Sequence, residues 1–200
     1  MYYYPVAHIN ISISKIYRLW QDTYFAEHQL RPRKNTISVA KQDLSVFNDE
    51  PWLASLGLTP VSGFFGVTPA NSVMSPHRDP SSNPAVIAKG FDYHPWALNF
   101  PLTCDVGSEI CWHRVKPGSQ TRLDGAGHSP YNNVKVPMAN IEDLEQVASV
   151  CLDRPLIINT FEWHSVSNRT NETRLIFTMR FEPIVSIQDA VALFTKQGVA

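Results

Sequence analysis

His77 and Asp79 are separated by one residue, His164 follows 85 residues after Asp79, and Arg174 stands ten residues beyond His164. Two imidazoles and one carboxylate can occupy one face of an octahedral Fe(II) ion and leave three positions open for a co-substrate and O₂. In an extended chain residues i and i+2 point to the same side, so His77 and Asp79 can share an ion while Arg78 turns away. Pro76 and Pro80 bracket the pair and restrict its backbone. The chemistry open to such a set is oxygen activation.

These side chains come from distant parts of the chain, so a rigid scaffold must bring them together. Ile9, Ile11 and Ile13 alternate with polar residues and predict a strand. Behind Ser14, Ile16, Leu19, Trp20 and Tyr24 recur at three- and four-residue intervals, which predicts a helix to about residue 27, lying against a sheet. From residue 61 onward the apolar signals shorten to strand length, over 61–67, 97–102, 110–114, 156–160, 163–166 and 174–181. Turn-rich stretches holding many of the 15 prolines separate them. Two more helices are expected, one over 141 to about 150 behind Asn140 and one behind Ser186 with Ile187, Ala190, Val191 and Phe194 on one stripe. The class expected is mainly β with flanking helices, a sandwich or jelly roll.

Alternation along the last strand assigns its faces. Leu175, Phe177, Met179 and Phe181 fall on one side, Arg174, Ile176, Thr178 and Arg180 on the other. A buried guanidinium needs an anionic partner, so the polar side is the one to hold a carboxylate. Phe161 and Glu162 form a turn, and His164 projects from the strand that returns after it.

Composition bounds the function classes. A chain of 200 residues, 44% of them apolar, buries a substantial core within one domain. With 17 basic against 18 acidic residues and no basic run, nothing favours nucleic acid. No apolar stretch reaches the roughly 18–20 residues that span a bilayer, and residues 1–5 do not read as a leader, so a soluble, cytoplasmic protein is expected. Cys104, Cys111 and Cys151 lack disulfide or zinc spacing and read as core residues, and the sequons at Asn10, Asn168 and Asn171 as chance matches.

The run His77-x-Asp79, His164, Arg174 resembles the motif of the Fe(II)- and 2-oxoglutarate-dependent dioxygenases, whose catalytic domain is a double-stranded β-helix, a cupin-like jelly roll. Leu98-Asn99-Phe100-Pro101-Leu102, Asn159-Thr160 and His164-Ser165-Val166-Ser167-Asn168 are similar to phrases in small bacterial and bacteriophage members of the aspartyl/asparaginyl-hydroxylase-like and prolyl-hydroxylase-like groups. The resemblance covers about residues 63–183. It implies a core over 61–183, a buttressing segment over 1–60 and a C-terminal helix over 184–200. It implies that His77, Asp79 and His164 ligate iron, that Arg174 binds the distal carboxylate of 2-oxoglutarate, and that Asn99 and Thr178 are further co-substrate contacts. Some members carry Ser or Thr two residues after the arginine, where this chain has Ile176. Asp79 stands where halogenating relatives have Gly or Ala, which points to hydroxylation of an amino-acid, peptide or other small-molecule substrate with release of succinate and CO₂.

Residues 75–95, rich in Pro, Ser and Asn, are the candidate lid over such a site. His94, His113 and His128 have no partner at ligand spacing and read as structural, and Trp96, Trp112 and Trp163 as core aromatics. Arg78 faces away from the metal and reads as a surface ion pair, with contact to a substrate anion as the alternative. The rival reading is a cupin that holds a metal or ligand without 2-oxoglutarate, and such a protein needs no inward arginine beyond its last histidine.

Overall fold

A computed structural model describes residues 1–6, 13–25, 29, 36–79, 94–103, 107–119, 127–128, 135–136 and 139–196. Expectations for residues 9–11, for Cys104 and for most of the lid segment lie outside these. In chain order the elements are β1 (Tyr3–Pro5), α1 (Ile13–Leu19) running into a π-helical turn (Trp20–Tyr24), β2 (Thr36–Val39), a 3₁₀ helix (Lys41–Phe47), α2 (Pro51–Leu56), β3 (Thr59–Thr68), β4 (Ser72–His77), β5 (Trp96–Pro101) and β6 (Ser108–Val115). A two-stranded ladder of β7 (Gly127–His128) and β8 (Lys135–Val136) follows, then β9 (Leu144–Cys151), β10 (Leu156–Asn159), β11 (His164–Asn168), β12 (Arg174–Glu182) and α3 (Ile187–Lys196).

Two antiparallel sheets form the jelly roll: a six-stranded sheet in the order β1-β10-β5-β12-β3-β2 and a four-stranded sheet in the order β4-β11-β6-β9. The predicted faces of β12 hold. Leu175, Phe177, Met179 and Phe181 enter the larger core, which the outer face of the six-stranded sheet shares with α1, α2 and α3. Ile176 enters a smaller core between the sheets with Ala97, Ile110, Trp112, Leu156, Ile158 and Val166. Arg174, Thr178 and Arg180 share the inner face with Ile176.

Local chemistry explains the supports. In α1 Ile16 and Leu19 are buried, and Trp20 continues that stripe onto Phe65 at 5.0 Å between ring centroids. Tyr24 donates to Asp43 Oδ2 at 2.5 Å and accepts the Ala40 N–H, which docks the helical segment on the 3₁₀ helix. Pro51 opens α2, and Gly57, at φ 65°, closes it in the left-handed conformation. Gly66 answers a tight approach, since a Cβ there would lie 2.9 Å from Ile176 Cγ1 across the β3–β12 ladder.

One expectation fails. Residues 141–150 are not a helix: after a single 3₁₀ turn (Ile141–Asp143) the chain becomes β9. Leu144, Val147 and Val150 fit helical spacing, but the free edge of β6 offers backbone partners, and β9 takes them from Glu109 to Val115. Val147, Ala148 and Val150 then pack on the inter-sheet core. Five further strands match no expected one: β1, β2, β4, β7 and β8. Among the described residues, no helix is long and apolar enough to cross a membrane.

Phe177 is the hub of the larger core, 5.0 Å from Phe65, 5.6 Å from Phe47 and 6.3 Å from Phe100 between ring centroids. Phe177→Ala is expected to cost about 3–5 kcal/mol, read as the unfolding free energy in urea. A loss below about 1 kcal/mol would show that these rings pack loosely.

Candidate metal centre

β4 ends at His77 and β11 begins at His164, and the two residues face each other in the ladder with ring centroids 4.4 Å apart. Asp79 lies just past β4, its N–H donating to the Thr160 carbonyl at 3.3 Å. Asp79 Oδ1 is 3.9 Å from His77 Nε2 and 3.8 Å from His164 Nε2, and one donor atom from each residue falls within 4.8 Å of the others. With metal–donor bonds of about 2.1 Å, donors at right angles sit about 3 Å apart, so closure on a divalent ion takes about 1 Å of side-chain movement. The three donors fit a facial site.

Both imidazoles are prepared as ligands by the same device. His77 Nδ1 lies 2.9 Å from the Ser75 carbonyl and His164 Nδ1 lies 2.9 Å from the Glu162 carbonyl. A carbonyl only accepts, so each Nδ1 carries a hydrogen and each Nε2 is the ring nitrogen turned toward Asp79, the one that would bind an ion. Burial, aided by the neighbouring His77, pulls the His164 pKa down to about 4, and the ring is neutral at physiological pH.

The turn before His164 is fixed in turn. Asn159 Oδ1 accepts the Phe161 N–H at 3.0 Å, and the Asn159 carbonyl accepts from the Trp112 indole at 3.1 Å. Behind the strand, the His113 N–H donates to the Trp163 carbonyl at 2.8 Å, and His113 Nε2 lies 2.8 Å from Ser165 Oγ. His113 thus braces the backbone on both sides of His164, a structural role as expected. His94 is also buried and is not one of the grouped ligand residues, its carbonyl accepting from Thr160 Oγ1.

The inner face of β12 carries the remaining polar groups. Arg180, which the sequence reading left without a role, donates from Nη2 to Asp79 Oδ2, so the carboxylate gives one oxygen to the guanidinium and the other to the imidazoles. Its signal was its period-two alignment with Arg174. Thr178 donates to Asn99 Oδ1 at 2.8 Å, directly across the ladder, so these two predicted residues meet. Arg174, only 2% exposed, lies opposite Thr68 at the far end of the face, six residues or about 20 Å of strand from Arg180. Asn168 Nδ2 donates to the carbonyls of Thr68, Pro69 and Glu172 and sets the β11–β12 connection that leads to Arg174. Asn168 is buried, in keeping with its sequon being a chance match.

The sequence matches no known family profile and no curated protein. Among solved structures, the chain is similar to the non-heme α-ketoglutarate-dependent carbocyclase SnoK of nogalamycin biosynthesis: TM-score 0.51, 14% identity, covering 95% of this chain and 85% of that one. It is similar to EvdMO1 at TM-score 0.52 and 11% identity, over 90% of this chain and 46% of that one. HygX from Streptomyces hygroscopicus, solved with nickel and 2-oxoglutarate, aligns at TM-score 0.46 and 13% identity over 90% of this chain and 82% of that one. The fold is a cupin-like jelly roll.

Two measurements test the centre. Ni(II) is expected to raise the melting temperature of the chelator-treated protein and to leave Asp79→Ala unmoved; equal shifts in both would place the ion elsewhere. Arg180→Leu strands the buried Asp79 carboxylate and is expected to cost about 3–5 kcal/mol in the metal-free protein, with Arg180→Lys losing less. Denaturation curves for Arg180→Leu that overlay wild type would remove the pair from its structural role.

Proposed function

We propose that this protein is an Fe(II)- and 2-oxoglutarate-dependent oxygenase that hydroxylates an amino-acid, peptide or other small-molecule substrate and releases succinate and CO₂. The observation that carries this reading is the pair of Nε2 atoms converging on Asp79 Oδ1, with a buried, inward-facing Arg174 deeper on the adjoining wall. The likeness in fold to SnoK, described as non-heme and α-ketoglutarate-dependent, supports it.

His77, Asp79 and His164 would hold the iron, which when bound supplies O₂ activation coupled to decarboxylation of the co-substrate. The chain's own residues then bind, orient and shield. The Arg174 fork receives the 5-carboxylate of 2-oxoglutarate in a charge-assisted bidentate contact and fixes its direction in the barrel. The Thr178 hydroxyl and Asn99 amide line the wall between Arg174 and the centre, while Ile176, lying over Gly66, replaces a second hydroxyl contact with an apolar one. Ala97, Trp112, Ile158 and Ile176 form an apolar interior that limits water. Arg180 holds Asp79 so that Oδ1 faces the imidazoles. Arg174 also separates this reading from a cupin that binds metal alone, because such a protein needs no buried guanidinium ten residues beyond its last histidine.

Anaerobic addition of Fe(II) and 2-oxoglutarate is expected to give a weak visible charge-transfer band. In Arg174→Ala the half-saturating 2-oxoglutarate concentration should rise by about 30-fold or more, as for truncation of one partner of a buried charge pair. A band with unchanged co-substrate dependence in that variant would remove Arg174 from the site.

A further inference from the structure

Arg78 stands between two of the three centre residues, yet nothing in the proposed chemistry uses it. Its side chain leaves the strand on the side opposite His77 and Asp79. There its guanidinium carbon lies 5.1 Å from the Trp163 ring centroid and 5.8 Å from that of Phe161. It has no partner, among the described residues, for the surface ion pair that its sequence position suggests. Among the described residues Arg78 joins no carboxylate, whereas Arg154 pairs with Asp153 and Lys15 with Asp49 and Glu50. Its Nε is buried and has no hydrogen-bond partner. A guanidinium held against aromatic faces with a donor left over is a half-built anion site.

The shelf is rigid and tied to the centre from both sides. Trp163 precedes His164 and is 3% exposed. Phe161 is set by the Asn159 side chain, and the Asp79 N–H is tethered to Thr160. Phe161 has a second surface: with Pro95, Asn159, Ile184, Val185 and Ile187 it lines an open cavity of about 380 Å³ beside the rim where β4 ends. A cation adjoining the centre and a mainly apolar recess thus share one aromatic ring.

We infer that the prime substrate carries an anionic group, carboxylate or phosphate, and that Arg78 binds it on the Trp163–Phe161 shelf while the apolar body of the substrate lies across Phe161 into the adjoining recess. This rests on the oxygenase reading for the word substrate; the anion site itself rests on Arg78 and its shelf. A planar guanidinium fork suits two acceptor oxygens.

The test uses benzoate and phenyl phosphate as anionic probes and benzamide as their uncharged counterpart. They are titrated into the Zn(II)- and 2-oxoglutarate-loaded full chain, the ion being diamagnetic, while the Arg78 Nε–H resonance is followed by NMR, assigned by its loss in Arg78→Lys. At least one anion is expected to shift that resonance saturably, benzamide should not, and Arg78→Gln should weaken binding of that anion by at least about tenfold. A response to benzoate alone fixes the group as a carboxylate, and to phenyl phosphate alone as a phosphate. A resonance unmoved by both anions, or moved equally by benzamide, overturns the anion site; this wild-type measurement holds even if Arg78→Gln fails to fold. The charge-transfer band is read separately: a band without an anion response sinks only the site, and an anion response without a band sinks only the oxygenase reading.

Discussion

The Asp79 carboxylate is the constraint on which the rest of the centre depends. It is a buried anion with two obligations: Oδ2 accepts from Arg180, and Oδ1 faces the Nε2 atoms of His77 and His164. An uncompensated carboxylate at this depth is strongly unfavourable, so a cation must stand beside it whether or not a metal is bound. Arg180 meets that need from β12 in the six-stranded sheet, whereas Asp79 and both histidines belong to the four-stranded side. The ion pair therefore joins the two sheets at the rim where a metal would sit.

The fold follows a division of labour between its cores. The larger one, rich in interlocked aromatic rings, lies on the outer face of the six-stranded sheet and anchors β12 by every second residue. That leaves the alternate residues free to face the barrel, where Arg180, Thr178, Ile176 and Arg174 form a row leading inward from the centre. The smaller inter-sheet core is apolar enough to make each of those polar groups matter.

Three guanidiniums illustrate how environment assigns roles to one side chain. Arg180 neutralises a buried carboxylate, Arg174 is buried at the far end of the same face, and Arg78 is stacked on aromatic rings outside the barrel. Local sequence distinguishes them poorly, because the surroundings of each come from strands far away in the chain. Arg78 lies one residue from Asp79 and does not touch it, while Arg180 lies 101 residues away and does.

Much of this was legible beforehand. The one-residue spacing of His77 and Asp79, the turn before His164 and the period-two faces of β12 are local properties that the pleat of a strand converts directly into direction. Residues 141–150 were not legible, since an apolar spacing of three serves a helix or an edge strand, and only the unpaired edge of β6 chose between them. The His77–His164 register, the partner of Arg180, the Thr178–Asn99 bond and the shelf under Arg78 were likewise decided by tertiary structure. Side-chain type and alternation belong to the chain itself, but which group lies across a sheet or between sheets depends on strand pairing over long separations, and no local pattern encodes it.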